Sequence, residues 1–124
     1  MSPPFSPTTK PVISSYRQFW PFYLRQHAKP ATRAWHIAGT SLAVAVLLAG
    51  IALSNGWLAL AALPLGYGPA WYAHFVIEKN RPATFRYPLW SLVSDLRMTG
   101  LWYIGRLRHE LDGAGIGPPA GTSG

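Results

Sequence analysis

The sequence predicts an all-α integral membrane protein, in which a two-helix transmembrane hairpin is flanked by interfacial amphipathic helices. Two observations lead to this prediction. The first is a run of 44 residues, from Ala34 to Ile77, that contains no Asp, Glu, Lys or Arg. The second is the composition: hydrophobic residues make up 49% of the 124 residues and charged residues only 12%, about half the charged fraction of an average soluble domain.

The uncharged run is long enough for two membrane crossings and a turn. A hydrocarbon core about 30 Å thick needs roughly 20 apolar residues in a helix. We predict spans at about 34–53 and 57–77, joined at Ser54-Asn55-Gly56, whose residues are typical of chain reversals. A buried hairpin in a soluble protein is the competing interpretation, but the remaining 80 residues are too few to cover such a hairpin.

The positions of the basic residues predict the topology. All 11 Lys and Arg lie outside the uncharged run, and the turn carries none. By the positive-inside rule both termini then face the cytoplasm, in a bacterial cytoplasmic membrane or the endoplasmic reticulum. We therefore interpret the net charge of +7 as a topology signal and a contact for anionic lipid headgroups, and we expect no nucleic-acid partner.

Helices are predicted on both sides of the hairpin. Residues 14–26 mix aromatic rings with Arg, which is typical of an interfacial helix. Residues 88–111 form a second helical pattern, but Asp95 and Arg97 would each cost about 2.5–3.5 kcal/mol at mid-membrane. This helix is therefore expected along the cytoplasmic interface. Residues 1–12 and 113–124, rich in Pro, Gly, Ser and Thr, are expected to be disordered tails, which leaves 13–112 as a single membrane domain.

Three histidines are the main candidates for chemistry. The chain has no Cys, which excludes thiolate metal sites and cysteine nucleophiles. His36 and His74 lie at nearly equal distances before and after the turn, so the hairpin returns both to the cytoplasmic edge of the membrane. His27 can fold back to the same layer, and Glu78 follows His74 by one helical turn. Nitrogen and oxygen ligands without thiolate suit Fe(II), Mn(II) or Zn(II).

Spacing alone leaves other interpretations open. A histidine at the end of a span is commonly an interfacial anchor, which would fit a non-enzymatic membrane scaffold or lipid-binding protein. Two histidines at the same depth also fit a membrane haem protein with bis-histidine ligation. Glu78 next to Lys79 also fits a solvated surface pair. His109 lies in a charged run and is expected on the surface.

Three segments around these residues resemble the 2-hydroxy fatty acid dioxygenase family. The first joins FWPFYL (19–24) to HAKPATRAWH (27–36), the second is WYAHFVIEKNRPATF (71–85), and the third begins with YPLWSL (87–92). Together they cover about residues 15–108. The pairing of H-x-x-P-x-x-R-x-x-H with H-x-x-x-E-K-N-x-P-A makes the resemblance specific. The chain departs from the family pattern at Thr32, where most members are expected to have Asn.

The resemblance implies an Fe(II)-dependent enzyme of fatty acid α-oxidation. Such an enzyme uses O2 to cleave a long-chain 2-hydroxy fatty acid to an acid one carbon shorter. The family's iron ligands correspond to His27, His36 and His74. Glu78 is expected to be the catalytic carboxylate, as a fourth ligand or as a base that orients an imidazole. The basic residues expected to attract the substrate carboxylate are Arg33, Lys79 and Arg81.

Overall fold

The fold is all-helical, as the sequence predicts. The computed structural model describes residues 13–117, and these contain no β-strand. The α-helices are α1 (Tyr16–Gln26), α2 (Pro30–Ala52), α3 (Gly56–Leu60), α4 (Ala62–Tyr72), α5 (Pro88–Tyr103) and α6 (Leu107–Gly113). A π-helical segment, Ala73–Glu78, continues α4, and a 3-10 turn, Ala83–Phe85, precedes α5. The predicted tail 1–12 and residues 118–124 of the predicted tail 113–124 lie outside the described residues.

The longest helix, α2, ends where the sequence predicts a turn. Pro30 occupies its first turn, where a missing N–H leaves no helical hydrogen bond unmade. After the helix ends at Ala52, Ser54 adopts a φ of 51°. The Asn55 side chain then accepts a hydrogen bond from the Leu58 N–H and so caps α3. The chain therefore reverses at Ser54-Asn55-Gly56.

Glycines allow the returning chain to pack closely against α2. A Cβ at Gly50 would lie 2.5 Å from the backbone nitrogen of Ala59, and a Cβ at Gly39 would lie 3.0 Å from the Pro69 Cβ. Position 50 thus pairs with 59, and position 39 pairs with 69. The returning chain runs antiparallel to α2.

The returning chain is divided into three helical segments, whereas the sequence predicted one continuous helix over 57–77. A turn at Ala61 separates α3 from α4, and Pro69 inside α4 lacks the N–H of a regular helical bond. The π-helical segment follows within a few residues. Within residues 13–117, α2 is therefore the one helix that is long and apolar enough to cross a membrane, judged by length and composition.

The aromatic core is built by α1, α5 and α6. Phe19, Tyr23 and Met98 are almost fully buried there. The indole of Trp20 donates a hydrogen bond to Glu110 (2.7 Å), and the Arg97 guanidinium lies 4.0 Å from the centroid of the Trp20 ring. The two flanking segments predicted to be interfacial therefore pack on one another at one end of the molecule.

The predicted helix over 88–111 is interrupted. Helix α5 ends at Tyr103, and Gly105 adopts a φ of 75°, a conformation that glycine reaches without steric cost. The Arg106 N–H then donates to the Leu101 carbonyl (2.8 Å), which closes the end of the helix. The chain leaves α5 in a new direction and enters α6 at Leu107.

Candidate metal centre

The three predicted ligand histidines meet in one place. One ring nitrogen of each lies within 4.8 Å of the others, and all three residues are buried. The ring centroids are 4.5 Å apart for His27 and His74, 4.6 Å for His27 and His36, and 5.7 Å for His36 and His74. They come from three elements: the end of α1, the first turns of α2 and the π-helical segment. We call this set the histidine cluster.

His27 is fixed in one tautomer by the end of α1. It is the first residue after the helix, and its Nδ1 lies 2.8 Å from the Tyr23 carbonyl oxygen. Because a carbonyl only accepts, Nδ1 carries the proton and Nε2 keeps its lone pair. That Nε2 is buried without a hydrogen-bond partner among the described residues. Burial, followed by the nearby His36 and His74, lowers the pKa of His27 well below its usual value, so the ring stays neutral.

His74 is oriented by Asn80. The π-helical segment ends at Glu78, and the next residue, Lys79, turns the chain back with a φ of 61°. The Asn80 N–H then donates to the His74 carbonyl (2.9 Å). The Asn80 Nδ2 donates to the Gln26 carbonyl (3.2 Å), so its Oδ1 is the atom 2.8 Å from the His74 Nδ1. His74 Nδ1 is therefore the donor, and its Nε2 keeps its lone pair.

His36 faces a carboxylate that the sequence prediction did not select. Its Nε2 lies 3.4 Å from the Asp95 Oδ1, and its Nδ1 is buried without a hydrogen-bond partner among residues 13–117. Asp95 also accepts a hydrogen bond of 2.5 Å from the Tyr23 hydroxyl. Burial raises the pKa of Asp95 to about 7, although the Tyr23 hydrogen bond acts in the opposite direction. The sequence argument used Asp95 to place its helix relative to the membrane and as part of the third segment that resembles the family, but not as a site residue.

The space between the histidines suits a single ion. A cavity of about 10 Å³ is lined by all three histidines, Asp95 and Ser91, among others, and this volume is near the minimum for one water-sized atom. Among the residues that the structure describes, the His27 Nε2 and the His36 Nδ1 are buried without a hydrogen-bond partner, and each such group costs about 1–3 kcal/mol. A metal ion bound to these nitrogens would remove that cost, so the residues present fit a metal.

Glu78 lies outside the histidine cluster. Its Oε1 accepts a hydrogen bond from the Lys29 N–H (2.7 Å), and the Lys29 Nζ donates to the Ile77 carbonyl (2.9 Å). The sequence argument assumed an α-helical turn between His74 and Glu78, whereas the segment is π-helical and its residues are spaced differently around the axis. Glu78 therefore joins the start of α2 to the end of the π-helical segment.

The three basic residues expected at the substrate are separated. Arg33 donates from Nη1 to the carbonyls of His27 (2.9 Å) and Ala28 (2.8 Å), and it does not line the histidine cavity. Lys79 is exposed at the end of the π-helical segment. Arg81 lines a second cavity of about 470 Å³, which shares two wall residues with the histidine cavity, Pro82 and Ala83.

Comparison with known proteins gives one family. The family model described as 2-hydroxy-palmitic acid dioxygenase Mpo1-like matches residues 13–107. The matched region contains the histidine cluster together with Asn80 and Asp95. No curated protein and no solved structure gives a significant match to the chain.

Proposed function

Because this chain belongs to the Mpo1-like family of 2-hydroxy-palmitic acid dioxygenases, we propose that it is an Fe(II)-dependent dioxygenase of fatty acid α-oxidation. It cleaves long-chain 2-hydroxy fatty acids with O2 to acids one carbon shorter. The observation that carries the proposal is the histidine cluster, whose three buried side chains each bring a ring nitrogen within 4.8 Å of the others and line one small cavity. The ligands of the iron are His27, His36 and His74.

The donor set fits the proposed chemistry. Three imidazoles without thiolate suit Fe(II) among other divalent ions, and three protein ligands leave further coordination positions open. When bound, iron supplies the positions at which a 2-hydroxy carboxylate chelates through two oxygens and O2 is activated. The closely spaced rings and the small cavity argue against the haem alternative, since a porphyrin does not fit between them.

The surrounding residues hold the ligands in position. The Tyr23 carbonyl and the Asn80 side-chain oxygen each accept a hydrogen bond from the Nδ1 of one imidazole. This bond fixes the ring and directs the other nitrogen to the metal. The Asp95 carboxyl group lies beside His36, with its Oδ1 3.4 Å from the His36 Nε2. In this proposal Asp95 is the carboxylate that acts on a ligand imidazole, and Glu78 acts indirectly by holding the start of α2 against the π-helical segment.

The substrate approaches from the cavity next to the histidine cluster. Arg81 and Arg86 line that cavity, and guanidinium groups bind carboxylates well. We assign the attraction of the substrate carboxylate to Arg81, with exposed Lys79 close by in sequence. Arg33 is assigned to bracing the loop that carries His27. The Pro82–Ala83 wall separates the two cavities and has to move for a substrate to reach the cluster.

The proposal includes a membrane location, with spans at about 34–53 and 57–77 and both termini in the cytoplasm. Helix α5 supports it, because its polarity is inverted relative to that of a soluble protein. Ser91 and Ser94 are buried, whereas Leu89 is 75% exposed and Val93 is 52% exposed. Leu48 in α2 is 59% exposed. Apolar surfaces of this extent on a small protein are typical of contact with lipid.

A turnover assay tests the proposed function. The purified, Fe(II)-loaded protein is given 2-hydroxypalmitic acid and O2, and pentadecanoic acid is measured by mass spectrometry. We expect this product from the wild type and from H109A, and none from H36A, because His109 is exposed and lies outside the cluster. Palmitic acid without the hydroxyl group is the substrate control. Equal turnover by H36A, or no turnover by the iron-loaded wild type, would favour the non-enzymatic scaffold.

A further inference from the structure

A third cavity, an open groove, lies on the opposite side of α2 from the helices of the returning chain. It has a volume of about 460 Å³, and its walls are mostly apolar side chains of α2, α5 and α6, including Ile37, Ala38, Trp102 and Leu107. It shares no lining residue with the histidine cavity or with the Arg81 cavity. It is therefore a separate site, which the proposed reaction does not use.

Two arginines make part of the groove wall positively charged. Arg33 and Arg108 both line it, and no acidic side chain of residues 13–117 does. Arg33 uses Nη1 for backbone carbonyls, and Arg108 uses Nε for Asp112 (3.0 Å) and Nη2 for the Ile116 carbonyl. The other nitrogens of both guanidinium groups have no hydrogen-bond partner within the described chain. Burial lowers the pKa of Arg33, and the charge of Arg108 lowers it further, whereas Glu78 raises it. An anion bound near Arg33 and Arg108 would be attracted by both charges.

The arrangement of polar and apolar groups matches a lipid at a membrane interface. Arg33 lies just before the proposed first span. Ser41 lies two turns, about 12 Å, further along α2 than Arg33. Its hydroxyl accepts a hydrogen bond from the Tyr103 hydroxyl (2.8 Å). Trp102 and Tyr103 lie along the same groove, and such rings favour the membrane–water interface. Basic pockets between helices on the cytoplasmic side are typical sites for anionic lipid headgroups.

We propose that this groove binds one anionic phospholipid, with the phosphate on Arg33 and Arg108 and an acyl chain along α2 from Ile37 to Ser41. The inference rests on the proposed membrane location and not on the dioxygenase reaction. A free phosphate ion would leave the apolar wall uncovered. A phospholipid without net charge, such as phosphatidylcholine, would bring a cationic headgroup next to the two guanidinium groups, which repel it.

Native mass spectrometry of the full-length, Fe(II)-loaded protein tests the proposal. The protein in detergent is incubated in turn with phosphatidylglycerol, phosphatidylcholine, palmitic acid and inorganic phosphate. We expect one phosphatidylglycerol molecule to be retained per chain. R108Q should lower that retention at least about tenfold, because it removes one charge-assisted hydrogen bond. A38W, which fills the groove without changing the charge, should have the same effect. R106Q removes an exposed arginine of the same turn that does not line the groove, and it should bind like the wild type.

Several results would overturn the proposal. Equal retention of the two phospholipids would mean that the groove does not select an anionic lipid, and unchanged retention in both R108Q and A38W would mean that the lipid binds elsewhere. Equal losses in R106Q and R108Q would indicate a non-specific charge effect. Preferential retention of palmitic acid would make the groove a fatty acid site instead. Retention is scored without turnover, so a failed dioxygenase assay leaves this test intact, and iron content together with circular dichroism shows that each variant is folded.

Discussion

At the scale of single residues, Tyr23 holds two of the three candidate ligands. Its carbonyl accepts from the His27 Nδ1, its hydroxyl donates to Asp95 beside His36, and its ring centroid lies 4.2 Å from that of His27. The same side chain is almost fully buried in the aromatic core. The packing of α1 on α5 therefore determines how two imidazoles are presented.

Removal of the Tyr23 hydroxyl should weaken metal binding without unfolding the protein. Y23F keeps the carbonyl and the ring but leaves Asp95 without its donor, so His36 loses its fixed partner. Loss of such an outer contact typically lowers metal affinity about 10–100-fold, which a competition titration with Co(II) measures through its absorption bands. Y16F is the matched control, because Tyr16 makes a hydroxyl contact of 2.9 Å with Ser94 across the same helix pair. Equal effects of the two variants would contradict this role.

The contact between Asn80 and His74 gives a second prediction at this scale. N80A removes the acceptor of the His74 Nδ1 proton, and we expect metal affinity to fall by about 10–100-fold. N80D keeps an oxygen acceptor for His74, but it replaces the donor to the Gln26 carbonyl with an oxygen and adds a negative charge. We expect it to recover most of the affinity through the acceptor at His74. The same titration distinguishes them. If N80D binds metal as weakly as N80A, then the hydrogen bond to Gln26, and not the orientation of His74, controls the site.

The sequence predicted the three histidines of the site but not the residues that orient them. The meeting of His36 and His74 follows from their equal distances to the turn. The contacts of Asn80 and Asp95 depend on the left-handed conformation of Lys79 and on the buried polar face of α5. The first has no periodic signal in the sequence, and the second, a polar stripe at helical spacing (Ser91, Ser94 and Asp95), ordinarily indicates an exposed face. For this reason Glu78, one α-helical turn after His74, was expected at the site, whereas Asp95 was not.

At the scale of helices, close packing of α2 against the returning chain brings His36 and His74 together. Gly50 is the tightest point, because a Cβ there would lie 2.5 Å from a backbone atom of α3. We expect G50A to destabilise the fold by about 1–3 kcal/mol, the usual cost of overpacking, as measured by chemical denaturation in detergent. G68A, in α4 with open space around its position, is the control and should be neutral or up to about 1 kcal/mol more stable. Equal stability of both variants would mean that the two segments separate readily.

Helix positions were predicted best where a single residue type determines them. Asn55 and Gly56 indicated the reversal, and the chain turns there, with Asn55 capping α3. The divisions at Ala61 and at the π-helical segment have no such residue, and Gly105, which follows the end of α5 with a φ of 75°, lies within the single helix that the sequence predicted over 88–111. Apolar periodicity continues through all three, so the sequence alone predicted two longer helices where the structure has shorter ones.

At the scale of the whole molecule, the membrane location predicts that arginine substitutions at two exposed leucines have different effects on membrane insertion. Leu48 and Leu89 are 59% and 75% exposed, so in water an arginine at either position changes stability by no more than about 0.5 kcal/mol. In a bilayer L48R places a charge inside the proposed span 34–53, where insertion costs up to about 2.5–3.5 kcal/mol, whereas L89R at the interface reaches water. We expect carbonate-resistant membrane protein to fall sharply for L48R alone. Equal recovery of both variants in the soluble fraction would contradict the membrane location.

The central claim is that one iron is held by three histidines from three separate parts of the chain. Its most direct test is the iron content of protein purified without oxygen and reconstituted with Fe(II). We expect about one iron per chain for the wild type and for H109A, and almost none for H27A, H36A and H74A, with helical circular dichroism retained in every variant. Iron retained at the wild-type level in all three cluster variants, or a reconstituted wild type without iron, would contradict the account.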